Sequence, residues 1–206
     1  MACVTLEVPF CDKDEVKRLG GRWDAVARTW YVPDGLDAAS FGRWIPEPAE
    51  LNVQAGSYFI AESTHECWKC ARATRVHGFV LPAGHALLNV GEVEEEDEWE
   101  IGDEPTLLCF IEHLTPEVTQ RIRAITLSYR CGYSRNGGAL YWMNFCEHCG
   151  AGLDDNEVFC EPGMGFLAFA EEDARRVTLR TVNESFGATA GSYSYGVALF
   201  DDMRVV

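Results

Sequence analysis

The sequence lacks both a long hydrophobic run and a recognisable targeting segment. No stretch of about 18 apolar residues occurs, so we expect neither a transmembrane helix nor a membrane partner. The first residues, MACVTLEVPFCDKDEVKRLGG, do not have the basic-then-apolar layout of a signal peptide. We therefore expect a cytoplasmic protein, whose thiols stay reduced. With 206 residues, 47% of them hydrophobic, the chain is long enough to bury a core.

Cations are scarce. The chain has 17 lysines and arginines against 33 aspartates and glutamates, which gives a net charge of −16. DNA-binding proteins usually show the opposite balance, because their affinity comes from cations that displace counterions from phosphate. The excess of carboxylates therefore argues against a nucleic acid and favours a basic protein as the partner. The alternative is that the acidity only keeps the protein soluble.

Recognisable catalytic motifs are also missing. The sequence contains no P-loop, no G-x-G-x-x-G, no H-E-x-x-H and no G-x-S-x-G. The five histidines have no recognisable catalytic neighbours, and among 33 carboxylates the choice of any pair as acid and base would be arbitrary. We therefore predict no catalytic residues and a protein that is not an enzyme.

What the sequence does have is cysteine. Nine cysteines are present, an odd number that excludes complete disulfide pairing. Four of them form two C-x-x-C pairs, Cys67 with Cys70 in HECWKC and Cys146 with Cys149 in NFCEHCG. Zinc takes four thiolates in a tetrahedron at about 2.3 Å, which leaves no open position for water. We therefore predict that these four cysteines bind one structural, non-catalytic Zn²⁺.

The long separation of the two pairs does not argue against one site. Loop-closure entropy grows only logarithmically, by about 0.6 kcal/mol per doubling of length. Gly150, directly after the second pair, suits the left-handed backbone of a zinc knuckle. A thioredoxin-like redox pair is the competing interpretation of Cys67 and Cys70. It requires a long helix from the first cysteine, and β-branched residues, a glycine and a proline interrupt the segment that follows. His65 and His148 are neighbouring alternative ligands that four cysteines make unnecessary.

A proline-rich, charged joint, PEPAE, marks the boundary between two parts of the chain. We predict a small α+β module over residues 1–46, a linker over 47–51, and a larger, mostly-β domain over 52–206 that contains the zinc ribbon. The predicted fold class is therefore α+β.

The smaller module is predicted to have the order β-α-β-β-α. Asp12 and Asp37 are the predicted N-caps of its two helices. We interpret its dense aromatic set as its core, namely Trp23, Trp30, Tyr31, Phe41 and Trp44. The alternative is an exposed stacking platform beside a local basic patch of Arg18, Arg22, Arg28 and Arg43.

The larger part is predicted to consist mainly of strands. TPEVTQRIRAIT is the predicted helix, with Pro116 at its first position. The glycine- and serine-rich GATAGSYSYG is expected to separate the last two strands. The strands are predicted within LNVQAGSYFIAES, HGFVLP, HALLNVGEV, PTLLCFIEHL, LSYRCGYSRNGGALYWMNFC, RRVTLRTV and YGVALFDDMRVV.

Residues 92–104, EVEEEDEWEIGDE, carry nine carboxylates in 13 residues. Such a block normally forms a solvated loop, and we predict an acidic loop here. The alternative is a docking surface for a basic partner. The candidate contact residues are Glu94, Glu95, Glu96, Asp97, Glu98 and Trp99.

Residues 6–46 resemble a small bacterial domain of unknown function that occurs in plasmid-transfer and primase-like proteins. The shared pattern is V-P, K-D-E-x-K, G-x-R-W-D, T-W-Y-V-P and F-x-x-W, and it covers a fifth of the chain. The sequence departs from it at LGGRW, where the family more commonly has Gly-Ala. The resemblance implies a bacterial host and the company of mobile elements, and no particular reaction.

The second part resembles uncharacterised bacterial proteins in which a C-W-x-C pair and a C-x-H-C-G pair close a split zinc ribbon. The resemblance rests on CWKCARATRV and YWMNFCEHCGAGLDD. It implies the same closure for residues 52–206.

Charge, missing motifs and the first resemblance together predict an immunity or antitoxin-type inhibitor. Such a protein would neutralise a basic bacterial toxin, with a nuclease favoured, by protein–protein contact. The alternative is a nucleic-acid-handling accessory protein of a mobile element with a structural zinc ribbon. A third hypothesis is an adaptor whose partner is not encoded in its charge.

Overall fold

A computed structural model describes residues 4–25, 29–33, 36–45, 50–89, 98–134, 138–160, 165–194 and 196–206. Within these residues the protein is a mixed α+β structure in which sheet predominates and helices are few and short, as the sequence predicts. The chain divides into two compact units, Met1–Ala49 and Glu50–Val206. None of the helices in the described ranges is long and apolar enough to span a membrane.

The smaller unit is a three-stranded antiparallel sheet in the order β1-β3-β2, accompanied by short helices. Its elements are β1 (Val4–Leu6), a 3-10 helix (Phe10–Asp12), α1 (Lys13–Arg18), β2 (Arg22–Asp24), β3 (Thr29–Val32) and a 3-10 helix (Ala38–Trp44). Trp30, Phe41 and Trp44 are buried in its core with Leu6 and Val16. Most of the aromatic set is therefore core, as predicted.

The two predicted N-caps of this unit behave differently. The Asp37 side chain accepts a hydrogen bond from the Ala39 backbone N–H, as an N-cap does. Asp12 makes no such cap bond. Its carboxylate instead accepts hydrogen bonds from Trp44 Nε1 at 2.9 Å and from the Arg43 guanidinium at 2.7 Å, and these bonds lower its pKa. Asp12 therefore binds the end of the second 3-10 helix and does not cap the start of α1.

The described part of the larger unit contains twelve strands, which belong to one connected sheet. The strands are β4 (Val53–Ala55), β5 (Tyr58–Glu66), β6 (Ala73–Leu81), β7 (Ala86–Asn89), β8 (Glu98–Ile101), β9 (Thr106–Leu114), β10 (Tyr129–Tyr133), β11 (Leu140–Phe145), β12 (Gly152–Leu153), β13 (Thr178–Val182), β14 (Phe186–Tyr193) and β15 (Arg204–Val205). The helices are α2 (Pro116–Ile125), α3 (Asp155–Cys160), α4 (Glu171–Ala174) and a 3-10 helix (Phe200–Asp202).

The strand order places the first cysteine pair on the main path of the sheet and the second on a branch that leaves this path. The main path runs β15-β13-β5-β6-β9-β14-β4-β7-β8. A branch leaves it at β9, which pairs with β11, and β11 in turn pairs with β10 and β12. Among the described strands, all pairings are antiparallel except that of β13 with β15. The first cysteine pair lies between β5 and β6, and the second lies between β11 and β12.

Two hydrophobic clusters fill this unit. One is built on aromatic rings, in which Tyr58 lies 5.9 Å from Phe79 and 5.1 Å from Phe186 between ring centroids. The other contains the buried Cys67 and Cys146. The cysteine cluster thus begins in a hydrophobic core at Cys67 and Cys146 and reaches the surface at Cys149, which is exposed.

Three predictions about the larger unit are wrong in part. Residues 98–101 of the predicted acidic loop form strand β8, while residues 90–97 lie outside the described residues. GATAGSYSYG, predicted as a separator, contributes most of strand β14. The last predicted strand is reduced to β15, preceded by a 3-10 helix.

Candidate metal centre

The first cysteine pair sits in the turn of the β5–β6 hairpin. The Cys67 N–H donates to the carbonyl of Arg72, and the Ala71 N–H donates to the carbonyl of Cys67. Ala71, one residue after the second cysteine, has a φ of 52°. This left-handed residue turns the chain sharply back into β6.

The second pair repeats that backbone pattern between β11 and β12. The Cys146 N–H donates to the carbonyl of Ala151, and the Gly150 N–H donates to the carbonyl of Cys146. Gly150 has a φ of 68°, as predicted for a knuckle glycine. Two distant segments therefore form the same turn with the same ligand spacing.

The fold brings the four sulfurs together. All four Sγ atoms of Cys67, Cys70, Cys146 and Cys149 lie within 4.8 Å of one another. The Sγ atoms of Cys67 and Cys149 are 3.7 Å apart, and so are those of Cys70 and Cys146. A tetrahedron with metal–sulfur bonds of 2.3 Å has sulfur–sulfur edges of about 3.8 Å. The cluster thus has the size and the donor set of a four-thiolate metal site.

The surroundings of Cys146 and Cys70 shift the pKa values of these two thiols in opposite directions. Burial disfavours the Cys146 thiolate, but the N–H groups of His148 and Cys149 outweigh it and lower the pKa of Cys146 to about 6. The Arg72 N–H favours the Cys70 thiolate, but burial and the neighbouring thiols raise the pKa of Cys70 to about 12. Four closely packed sulfurs do not all carry a negative charge without a cation between them, which is the condition that a divalent metal satisfies.

We call the two cysteine turns, residues 67–72 and 146–151, the two knuckles. Side chains outside the cysteines hold the two knuckles against each other. The Arg75 guanidinium pairs with the Glu147 carboxylate, with Nη2 and Oε1 2.7 Å apart. The Glu147 N–H donates to Thr74 Oγ1. Trp68 Nε1 donates to the carbonyl of Gly152 at 2.9 Å. The first two contacts join the β5–β6 hairpin to the second knuckle, and the third joins it to β12, so the cluster is built on elements that other contacts also hold together.

The side chain of His148 takes part in this joint and does not contact the sulfurs, whereas its backbone N–H donates to Cys146 Sγ. Its Nε2 lies 2.8 Å from the carbonyl of Ala73. His65 is buried on β5. The only group of metal-ligating side chains found among the described residues is the four cysteines, so neither histidine belongs to it.

A buried asparagine joins β11 to β6 beneath the knuckles. Asn144 is 0% exposed, its Oδ1 accepts from the His77 N–H at 2.7 Å, and its Nδ2 donates to the His77 carbonyl at 2.9 Å. Sequence reasoning missed Asn144, Trp68, Arg75 and Glu147. Their role depends on partners that are far away in sequence, so no local sequence pattern predicts it.

The candidate partner-binding residues fall in two groups. Glu94, Glu95, Glu96 and Asp97 lie outside the described residues. Glu98 and Trp99 are exposed on strand β8.

Two of the four arginines in the basic-aromatic patch considered for the smaller unit, Arg18 and Arg43, lie near carboxylates. Arg43 pairs with Asp12 and Glu15, and Arg18 also lies near Glu15. Trp30 is buried, while Trp23 is 49% exposed. Arg28 lies outside the described residues.

Comparisons with known proteins concern the smaller unit. Residues 4–46 match the family described as "Domain of unknown function (DUF5710)", which confirms the resemblance of this segment. A DNA primase TraC of Escherichia coli is 56% identical over 50 residues, which are 24% of this chain and 5% of that protein. A second DNA primase TraC of Escherichia coli is 46% identical over 52 residues, 25% of this chain and 4% of that protein. The chain thus spans about a twentieth of the length of these relatives. No solved structure matches it.

Proposed function

We propose that Cys67, Cys70, Cys146 and Cys149 bind one Zn²⁺ whose role is structural. The observation that carries the proposal is the sulfur geometry, four Sγ atoms within 4.8 Å with two edges of 3.7 Å. Tetrahedral four-sulfur sites take zinc or iron, and four protein ligands close the coordination shell of zinc. Such an ion would link the β5–β6 hairpin to β11 and would offer no position to a substrate.

Metal analysis of the purified protein tests this proposal. We expect about one zinc per chain by mass spectrometry of the acid-digested protein, and less than a tenth of that in Cys67→Ser. Cys131→Ser is the matched control, because Cys131 is an exposed cysteine of the same unit outside the cluster. Iron in place of zinc in the wild-type protein would contradict the proposal. So would a wild-type protein without metal whose melting temperature is unchanged by Cys67→Ser.

We further propose that the chain is a non-catalytic binding protein whose partner is a basic protein. The net charge of −16 supports this partner, because an acidic surface attracts cationic proteins and repels nucleic acid. An immunity or antitoxin-type inhibitor of a basic toxin, with a nuclease favoured, is the form of this function that a mobile-element setting favours. The net charge is the observation that supports this part of the proposal. The role of the metal site would be to stabilise the fold of the unit that binds the partner.

Expression of the neighbouring genes tests the immunity role. Each neighbouring reading frame is expressed in a host that lacks this protein, first alone and then together with it. We expect one basic product to stop growth, and co-expression to restore growth and give a complex on size-exclusion chromatography. If no neighbour is toxic, or growth is not restored, the immunity role is wrong while the zinc proposal stands.

A nucleic-acid-handling accessory is the second candidate function. It is favoured by the similarity of residues 4–46 to a segment of two DNA primases. In this unit Phe10 is 81% exposed, and the Lys13 ammonium lies 3.6 Å from the centre of its ring. An exposed aromatic ring beside a cation is a feature of single-strand binding surfaces. A titration of labelled single-stranded DNA decides, since the absence of binding at about 50 mM salt would rule this function out.

A further inference from the structure

Strand β8 lies at the end of the large sheet. Its four residues pair with β7 in the register Leu88 with Trp99 and Ala86 with Ile101. Within the described residues no strand pairs with its other edge. A free edge presents a row of backbone N–H and C=O groups that another chain can bind by adding a strand.

One face of this edge is apolar and exposed. Trp99 and Ile101 are two positions apart, so they point to the same face of β8. They are 40% and 69% exposed. Their cross-strand partners, Leu88 and Ala86, extend this apolar face onto β7. Exposed apolar side chains in a row on a free edge are what proteins normally avoid, which marks this edge as an interaction surface.

The other face of the edge is acidic. Glu98 and Glu100 alternate with the apolar pair and are both exposed. Asp103 and Glu104 follow one residue after the strand ends, and the sequence has no lysine or arginine from Ala86 to Glu104. A second copy of β8 would bring these carboxylates against each other, and like charges opposite one another destabilise a strand pair. The chemistry of the edge therefore selects a basic partner over self-association.

We propose that β8 is the docking edge for an extended basic segment of a partner protein, which adds to the sheet as a further strand. The segment has alternating apolar and basic side chains. Its apolar residues pack beside Trp99 and Ile101, and its lysines or arginines lie opposite Glu98 and Glu100. This inference rests on the proposed binding of a basic protein, and it specifies the surface and the form of that partner.

Synthetic peptides test the edge directly. The probes are fluorescent ten-residue peptides in which lysine alternates with valine, isoleucine or phenylalanine. Their control has the same composition arranged as a block of lysines followed by a block of apolar residues. At about 150 mM salt, where exposed charges more than about 8 Å apart are screened, we expect the alternating peptides to bind at least tenfold more tightly than the block peptides. N-methylation of alternate backbone nitrogens on one edge should abolish binding while leaving the charge intact.

Variants of the protein locate the binding. We expect Glu98→Lys/Glu100→Lys to weaken the alternating peptides at least tenfold, and Trp99→Ser/Ile101→Ser to do the same. The matched control is Glu172→Lys/Asp201→Lys, which makes the same change in net charge at exposed sites outside β8 and should change binding less than twofold. Circular dichroism and metal content confirm that each variant is folded.

The outcomes separate this inference from the function on which it rests. Equal binding of alternating and block peptides, or insensitivity to N-methylation, would mean general attraction of cations, so the docking edge would be wrong while the basic partner stands. Binding by none of the alternating peptides overturns the docking edge, and growth rescue by the wild-type protein then shows that the basic partner binds elsewhere. Self-association that Trp99→Ser/Ile101→Ser abolishes would also overturn it, because the occupant would be a second copy.

Discussion

At the scale of single residues, the two knuckles contain an internal comparison. Ala71 and Gly150 occupy the same position after the second cysteine of each pair, and both have a left-handed backbone, with φ values of 52° and 68°. Glycine adopts this conformation freely, whereas a residue with a Cβ adopts it at a cost of about 1–2 kcal/mol. The first knuckle therefore holds a strain that the second does not.

Exchange of the two residues should have opposite effects on stability. We expect Ala71→Gly to raise the free energy of unfolding by about 1 kcal/mol, and Gly150→Ala to lower it by about the same amount. A Cβ at Gly150 would meet no atom within 4 Å, so the loss would be conformational and not steric. Urea denaturation of the metal-loaded proteins measures both. Changes of the same sign in the two variants would refute this explanation.

Asp155 is a buried carboxyl at the start of α3. It is 1% exposed, and its Oδ2 accepts a hydrogen bond from the Phe110 N–H at 2.7 Å. Burial raises the pKa of Asp155 to about 7, the Phe110 N–H opposes this, and the neighbouring Asp154 adds to it. Tyr129 and Tyr141 are titratable groups that also interact with it. At neutral pH the Asp155 carboxyl is thus close to the midpoint of its ionisation.

The stability of the protein should depend on the ionisation of Asp155. The pKa of an aspartate in the unfolded chain is about 3.9, so between about pH 4 and 7 the folded protein binds a proton that the unfolded chain has lost. The free energy of unfolding therefore falls as the pH rises through this window, with a slope approaching about 1.4 kcal/mol per pH unit from this group. Asp155→Asn should remove that slope, because the amide oxygen still accepts from Phe110 and does not ionise.

Urea denaturation of wild type and Asp155→Asn at pH 5, 6, 7 and 8 measures the effect. The difference between them, wild type minus variant, should decrease steadily from pH 5 to 7 and level off above that. Asp201→Asn, at an exposed position, is the control and should follow the wild type. Parallel curves for Asp155→Asn and wild type would show that this carboxyl does not titrate in the window.

At the scale of elements, Asn144 joins two strands that do not pair with each other. Asn144→Ala should lower the free energy of unfolding by about 3 kcal/mol, because it leaves the buried N–H and carbonyl of His77 without their partner. Asn89→Ala, at an exposed position on β7, should change it by less than about 0.5 kcal/mol. Thermal or urea unfolding measures both, and a loss below about 1 kcal/mol for Asn144→Ala would mean that water replaces the side chain.

Strand β14 shows why some elements escape a reading of the sequence. Its segment is rich in glycine and serine, a composition typical of turns. In the fold β14 lies between β9 and β4, and a Cβ at Gly187 would come within 2.7 Å of Thr115 Cγ2 and 2.9 Å of Leu51 Cδ1. The small residues there reflect close packing against neighbouring elements. That requirement comes from residues far away in sequence, so a local pattern does not reveal it.

The candidate site was more accessible to sequence analysis than the strand order was. A C-x-x-C spacing is local, and the fit of two such pairs to a four-ligand ion follows from chemistry alone. The contacts of Trp68 with Gly152 and of Arg75 with Glu147 join residues 84 and 72 positions apart. The residues next to each partner in the sequence do not predict these contacts, because the contacts depend on how β11 packs beside β6.

At the scale of the whole molecule, each of the two units has its own core. The proposed zinc would belong to the larger unit alone. Structural zinc sites have apparent binding free energies of about 10–16 kcal/mol, which is comparable to or larger than the total stability of a typical domain. We therefore expect a strong chelator to remove amide hydrogen-exchange protection from β5, β6 and β11, and to leave α1 and β3 protected.

Hydrogen exchange followed by mass spectrometry, with and without the chelator, measures this difference between the units. Cys131→Ser should behave as the wild type, and Cys67→Ser without chelator should resemble the chelated wild type. Loss of protection in both units at once would contradict the prediction, and so would unchanged protection in the larger unit.

The separation of the two knuckles along the chain also has a consequence in time. Cys70 and Cys146 are 76 positions apart. At about 5–20 residues per second, a ribosome needs about 4 to 15 s to make the second knuckle after the first. During that interval the first knuckle is a bare dithiol, open to any oxidant or competing metal. The proposed four-thiolate site would therefore be complete only once β11 has been synthesised and has docked.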